Sequence, residues 1–204
     1  YSMDGYGEWK EGCAARGLFP LFNIEFISLN SEDQAAGLRV NDPNNPGRTY
    51  ISGKGLACPV TLSGNPLRQL EAVRAESNAQ VERMCARLNE WLNAQGKAIV
   101  LDFEEIKTTL THGLVRERHL AKALRLALFP DAPEPAKLEN ALRSQLLKAG
   151  GAAFVPEDPK AFLPMESVQR IIEAAGGIPT YPFLGDDANG GFTDFEADLQ
   201  LAAD

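Results

Sequence analysis

The chain has 204 residues, 44% of them hydrophobic, and a formal net charge of −8. That length holds one domain with a good core or two small ones, and the ordinary apolar fraction excludes a disordered chain. The acidic balance excludes broad electrostatic binding to nucleic acid or anionic membrane, though not a small local basic pocket.

Asp4 to Arg16 reads as a helix, with Asp4 as its N-cap and Gly17 just past its end. Leu18 to Leu29 is rich in Phe, Ile and Leu and predicts a buried strand. Residues 30–47 are polar, close on Asn-Asp-Pro-Asn-Asn-Pro-Gly, and predict a loop. Arg48 to Ser52 is a short strand ending at Gly53. Gly64-Asn-Pro opens a long amphipathic helix, with Leu67, Leu70, Val73, Val81, Met84, Leu88 and Trp91 or Leu92 at helical spacing to about Asn93. Asp102-Phe-Glu-Glu105 has the spacing of a capping box and opens a helix to about Leu110. Glu117 to Leu128 and Pro135 to Ala149 are two more helices. Pro164 suits the first turn of another helix, which runs to Ala175 and stops at Gly176-Gly177. Ile178 to Pro182 follows as a short buried strand, and Thr193 to Glu196 begins a final helix. Strands alternating with helices predict an α/β layout with a parallel sheet or barrel.

Cys13, Cys58 and Cys85 are odd in number, far apart and form no C-x-x-C pair. They argue against a disulfide framework or zinc cluster and for a reducing, cytoplasmic setting. No apolar stretch is long enough to span a bilayer and no signal peptide is visible. The opening Tyr1-Ser-Met-Asp-Gly-Tyr6 reads as the interior of a longer chain.

Chemistry in α/β folds collects at the C-terminal ends of strands. Glu25 interrupts an apolar run there; it is a functional carboxylate, or the water-facing residue of an edge strand, or half of a salt bridge. Asp186 and Asp187 follow the last strand, as oxygen ligands for a divalent cation or as a plain Asp/Asn/Gly loop. Arg116, Arg118 and His119 crowd positive charge into the first turn of a helix. That arrangement suits a phosphate or a metal site, against the plainer reading of a packing histidine on a charged surface. Ser52-Gly-Lys-Gly55 reads better as a turn than as a phosphate cradle. The common nucleotide-binding loops, the H-E-x-x-H zinc motif and the serine elbow are absent.

Three segments in order resemble the PHP (polymerase and histidinol phosphatase) family. Gly17-Leu-Phe-Pro-Leu-Phe-Asn-Ile-Glu25 is similar to the family's strand ending in Gly-Ile-Glu. Leu101-Asp-Phe-Glu-Glu-Ile followed by Gly113-Leu-Val-Arg-Glu-Arg-His-Leu-Ala-Lys-Ala-Leu124 resembles the segment carrying Arg-Pro-His-Ile-Ala-Arg-Ala-Leu. Met165-Glu-Ser-Val with Ala175-Gly-Gly-Ile-Pro-Thr-Tyr-Pro182 resembles the helix and strand ending in Gly-Gly-x-x-x-Ala-His-Pro. The resemblance implies a distorted (β/α)7 barrel of which the chain covers the middle part. It makes residues 1–204 a single, incomplete PHP-like domain with a helical insertion over roughly residues 102–150. It implies metal-dependent hydrolysis of phosphoesters, on a phosphorylated small molecule or a nucleotide. Glu25 then matches the family's bridging glutamate, and both Glu25 and His119 become candidate catalytic and metal-binding residues. Arg116, Arg118 and Tyr181 become candidate substrate-binding residues.

The chain also departs from the family. The His-x-His opening strand and the Asp-x-His closing strand are missing, so divalent ions (Mn, Zn, Fe or Mg) would need ligands from outside these residues. Asn23 replaces the usual Gly, Tyr181 replaces the His of Ala-His-Pro, and Tyr50 lies near where many members place another metal-binding His. A phenol is a poor divalent-metal ligand near neutral pH, because it must lose a proton of pKa about 10. The alternative expectation is therefore a PHP-like domain that has lost catalysis and binds a ligand or a protein.

Overall fold

The computed structural model describes residues 2–183. In chain order its elements are α1 (Tyr6–Ala14), β1 (Ile24–Leu29), α2 (Ser31–Ala36), β2 (Arg48–Lys54), α3 (Gly64–Ala94), α4 (Phe103–Leu110), α5 (Glu117–Leu128), α6 (Pro135–Leu142), α7 (Met165–Ala174) and β3 (Ile178–Thr180). A π-turn, Arg143–Leu147, continues α6. Asp186, Asp187 and the helix expected from Thr193 lie outside the described residues. No described helix is long and apolar enough to cross a membrane.

The chain divides into two units. One is formed by the chain up to Val73 with the chain from Phe162 onward, the other by Arg74–Ala161. In the first, β1, β2 and β3 form a three-stranded sheet in that order, and both pairings are antiparallel. The described strands therefore do not form the parallel sheet expected from the alternation of strands and helices, and they do not close a barrel. The β1–β2 connection shows why. The Asn30 N–H donates to the Gly47 carbonyl at 2.8 Å, one step beyond the last ladder pair, Leu29 opposite Arg48. The connection thus ends where it began, and the next strand must run back. Within it, the Asn30 side chain accepts from the Glu32 and Asp33 N–H groups, and Gly37 closes α2 at φ 74°. This six-residue helix sits where the sequence predicts only loop.

Alternation along the strands separates the sheet's two faces. Ile24 and Phe26 lie opposite Gly53 and Ile51 on the core face. They pack with Phe22, Leu56, Leu70 and, from α7, Val168, Ile171 and Ile172. A Cβ on Gly53 would meet Ile172 Cγ2 at 2.9 Å and Ile24 Cγ2 at 3.0 Å, so a side chain here would separate α7 from the sheet. The other face carries Glu25, Ser52 and Thr180 in one transverse row, with Tyr50 in the next.

The second unit is helical. Val81, Met84, Leu88 and Leu92 of α3 are buried with Ile106 of α4, Leu120 and Leu124 of α5, and Leu146 and Leu147 of the π-turn. Asp102 caps α4, its Oδ1 accepting from the Glu105 N–H at 2.8 Å, as the sequence predicts. Arg125 is 8% exposed and paired: its Nε and Nη2 both donate to Glu139 Oε1, at 3.1 and 2.9 Å. After the π-turn the chain bends sharply, and a Cβ on Gly151 would lie 2.5 Å from both the carbonyl carbon and oxygen of Leu146.

Candidate functional site

The sequence-derived candidates fall in both units. In the first, Glu25 is exposed on β1, directly across from Ser52, which is 8% exposed and in turn faces Thr180. Register therefore adds Ser52 and Thr180 to the row that holds Glu25. Reading Ser52-Gly-Lys-Gly55 as a turn hides the serine, because β2 runs through it to Lys54. Tyr50 shares this face, and its backbone is clamped by Asn41. Asn41 Oδ1 accepts the Tyr50 N–H at 2.7 Å, while Nδ2 donates to the Tyr50 carbonyl at 2.9 Å and the Pro182 carbonyl at 3.1 Å. The same clamp fixes the chain directly after Tyr181, which is partly buried just beyond β3.

A carboxylate beside two hydroxyls can orient a polar ligand. A divalent cation asks for more, namely several converging oxygen or nitrogen donors. Among the described residues no three His, Cys, Asp or Glu side chains come together as a metal site. The donors in view thus do not by themselves fit a metal.

In the second unit Arg116, Arg118 and His119 gather at the start of α5. Arg116 is the N-cap residue, in extended conformation, and His119 Nδ1 accepts its N–H at 2.9 Å. That bond leaves the proton of the neutral imidazole on Nε2. Burial lowers the pKa of His119 below its ordinary 6.5, and the charges of Arg118 and Lys122 add to the effect. His119 is therefore neutral near pH 7 and carries an Nε2–H donor. The helix adds its own partial positive charge at this end.

Arg116 is braced within its own unit. Its Nη1 donates to Ser77 Oγ at 3.1 Å, and its Nε lies 3.6 Å from Glu117 Oε2. The other carboxylate oxygen of Glu117 accepts from Lys148 Nζ at 2.8 Å. Burial alone would raise the Glu117 pKa; the Lys148 hydrogen bond and the charge of Arg116 outweigh it and hold the carboxyl at about 2. Arg118 is exposed. Sequence reasoning overlooks Ser77, Asn78, Glu117 and Lys148. Only Ser77-Asn78 leaves a trace, two residues of modest helix propensity side by side deep in a long helix.

No family model matches the chain, and no curated protein matches it. Among solved structures the chain is similar to that of a candidate metal-dependent phosphoesterase from Bifidobacterium adolescentis. The TM-score is 0.63 at 13% sequence identity, covering 99% of this chain and 60% of that one. At that identity the likeness speaks for a shared fold, and the chain spans about three fifths of that protein's length.

Proposed function

We propose that this chain belongs to a metal-dependent phosphoesterase of PHP type, acting on a phosphorylated small molecule or nucleotide in a reducing, cytoplasmic setting. The observation that carries the reading is the fold likeness over 99% of the chain to a candidate metal-dependent phosphoesterase. The PHP-like order of segments around Glu25, His119 and Tyr181 supports it from the sequence side. In this reading the whole is a distorted (β/α)7 barrel with a helical insertion, and residues 1–204 are its middle part. Divalent metal (Mn, Zn, Fe or Mg) would supply activated water and charge neutralisation. Because the described donors do not fit a metal alone, Glu25 would contribute one ligand to a site completed by other residues.

The chemistry derived from this chain's own residues is phosphate recognition. The guanidinium of Arg116 meets phosphoryl oxygens with two parallel donors, Arg118 adds charge, and His119 Nε2–H donates to a third oxygen. With Nδ1 engaged by the Arg116 N–H, His119 acts better as a donor than as a metal ligand. Tyr181, in the first unit, stands in place of a family histidine and offers a hydroxyl as a separate candidate contact for substrate.

The test is hydrolysis of simple phosphate monoesters by the purified protein with each metal in turn, alongside elemental analysis. Glu25→Gln is expected to lower kcat by about 100-fold or more with KM little changed. Arg116→Ala is expected to raise KM by about 10-fold or more, the scale of one charge-assisted hydrogen bond. A protein without bound metal whose hydrolytic rate is indifferent to Glu25→Gln would sink the enzyme reading.

One observation favours a second reading, a catalytically degenerate PHP-like domain that binds a ligand or a protein: the absence, among the described residues, of a three-donor cluster. Phosphate binding lost in Arg116→Ala, without any turnover, is its signature.

A further inference from the structure

Arg116 is fixed more firmly than its place in the helix requires. The N-cap demand at this position is met by the His119 ring, which takes the Arg116 backbone N–H. The guanidinium has no part in that capping, yet it reaches Ser77 Oγ at 3.1 Å and faces Glu117, while 31% of the Arg116 side chain stays exposed. Ser77 is only 5% exposed, so its hydroxyl is a fixed partner and not one that water readily replaces. Beside it, Asn78 grips the backbone that delivers Arg116. Its Nδ2 donates to the Gly113 carbonyl at 2.9 Å, and its Oδ1 accepts the Val115 N–H at 2.8 Å. Two adjacent α3 residues thus hold the approach to Arg116 and its side chain together. Immobilising a long, part-exposed arginine costs rotamer entropy. A site that must receive a tetrahedral, doubly charged group recovers that cost at binding, because the arginine is already ordered.

We infer that Ser77 and Asn78 are positioning residues that preorganise Arg116 for the phosphoryl group of a phosphate monoester. The inference rests on the phosphoesterase reading above and adds to it the residues that set affinity for the phosphoryl end of the substrate. Neither residue touches substrate in this account; both act through Arg116.

The experiment is calorimetric titration of the purified protein with inorganic phosphate, with thermal unfolding and the Nε–H resonance of Arg116 followed in the same variants. Ser77→Ala is expected to weaken phosphate binding about 3- to 10-fold, the scale of one side chain that must be ordered anew. Ser77→Thr, which keeps the hydroxyl, is expected to restore affinity to within about twofold of the parent. Asn78→Asp keeps the bond from the Val115 N–H and loses the one to the Gly113 carbonyl; it is expected to weaken binding while the protein stays folded. In Ser77→Ala the Arg116 resonance is expected to broaden or move toward the free-arginine position. Parent-like phosphate affinity in both Ser77→Ala and Asn78→Asp overturns the positioning role and leaves the phosphoesterase reading standing. Failure of the parent protein itself to bind phosphate overturns both.

Discussion

His119 divides its work between two nitrogens. Nδ1 accepts the Arg116 N–H, and Nε2 is left with the proton. Protonating Nδ1 would set one donor against another, which agrees with burial and the neighbouring Arg118 and Lys122 lowering its pKa below 6.5. The sign for stability follows. In the window below 6.5 the unfolded chain binds more protons than the folded one, so this contribution is full above 6.5 and is lost as pH falls through the lowered value. Glu117 acts in the next window down, its contribution lost as pH falls from 4.5 toward about 2. Urea denaturation at about pH 7 and about pH 5 should show the parent losing stability on acidification. His119→Gln can cap in the same way without titrating, and it should show a flatter profile over that interval. An equal slope in the two proteins would remove His119 from the account. The sequence points to His119 through its unusual neighbours, but not to its partner atom, because a ring bonded to a backbone N–H three residues earlier has no pattern of its own. Glu25 is legible as a carboxylate in an apolar run; Ser52 and Thr180 join it only once register is known.

At the scale of elements, periodicity and caps carry far. The helix expected from Gly64 to about Asn93 runs Gly64–Ala94, and the one expected from Glu117 to Leu128 has those ends. Local signals do not report partners. The Pro135 helix is expected to continue to Ala149, yet it gives way to a π-turn at Arg143–Leu147, which carries the buried Leu146 and Leu147. The direction of the strands escapes for a similar reason: it is set by the bond between Asn30 and Gly47, and nothing in either residue's type announces it. The Arg125–Glu139 pair spans α5 and α6 in the same unannounced way. Glu139→Ala would leave an arginine side chain only 10% exposed without its carboxylate. Chemical denaturation should show a loss of about 2–4 kcal/mol, tempered because Glu139 itself keeps 24% exposure. Replacing both residues by apolar ones of similar size should return most of that loss.

For the whole molecule, two hydrophobic clusters lie in two units, and each is built from residues whose apolar spacing the sequence displays. The likeness at 13% identity fits that picture, since a fold needs hydrophobic residues of about the right size at the right spacing, and few particular ones. What is less replaceable is backbone room. At Gly151 an added methyl would strike the Leu146 carbonyl across the short bend that holds Lys148. Lys148 is the far end of the chain of contacts through Glu117 to Arg116. A side chain at residue 151 is therefore expected to disturb Arg116 at one remove, by displacing the bend that carries Lys148. Residue 151 would thus act on Arg116 without contact, by way of a carbonyl it has no room to touch.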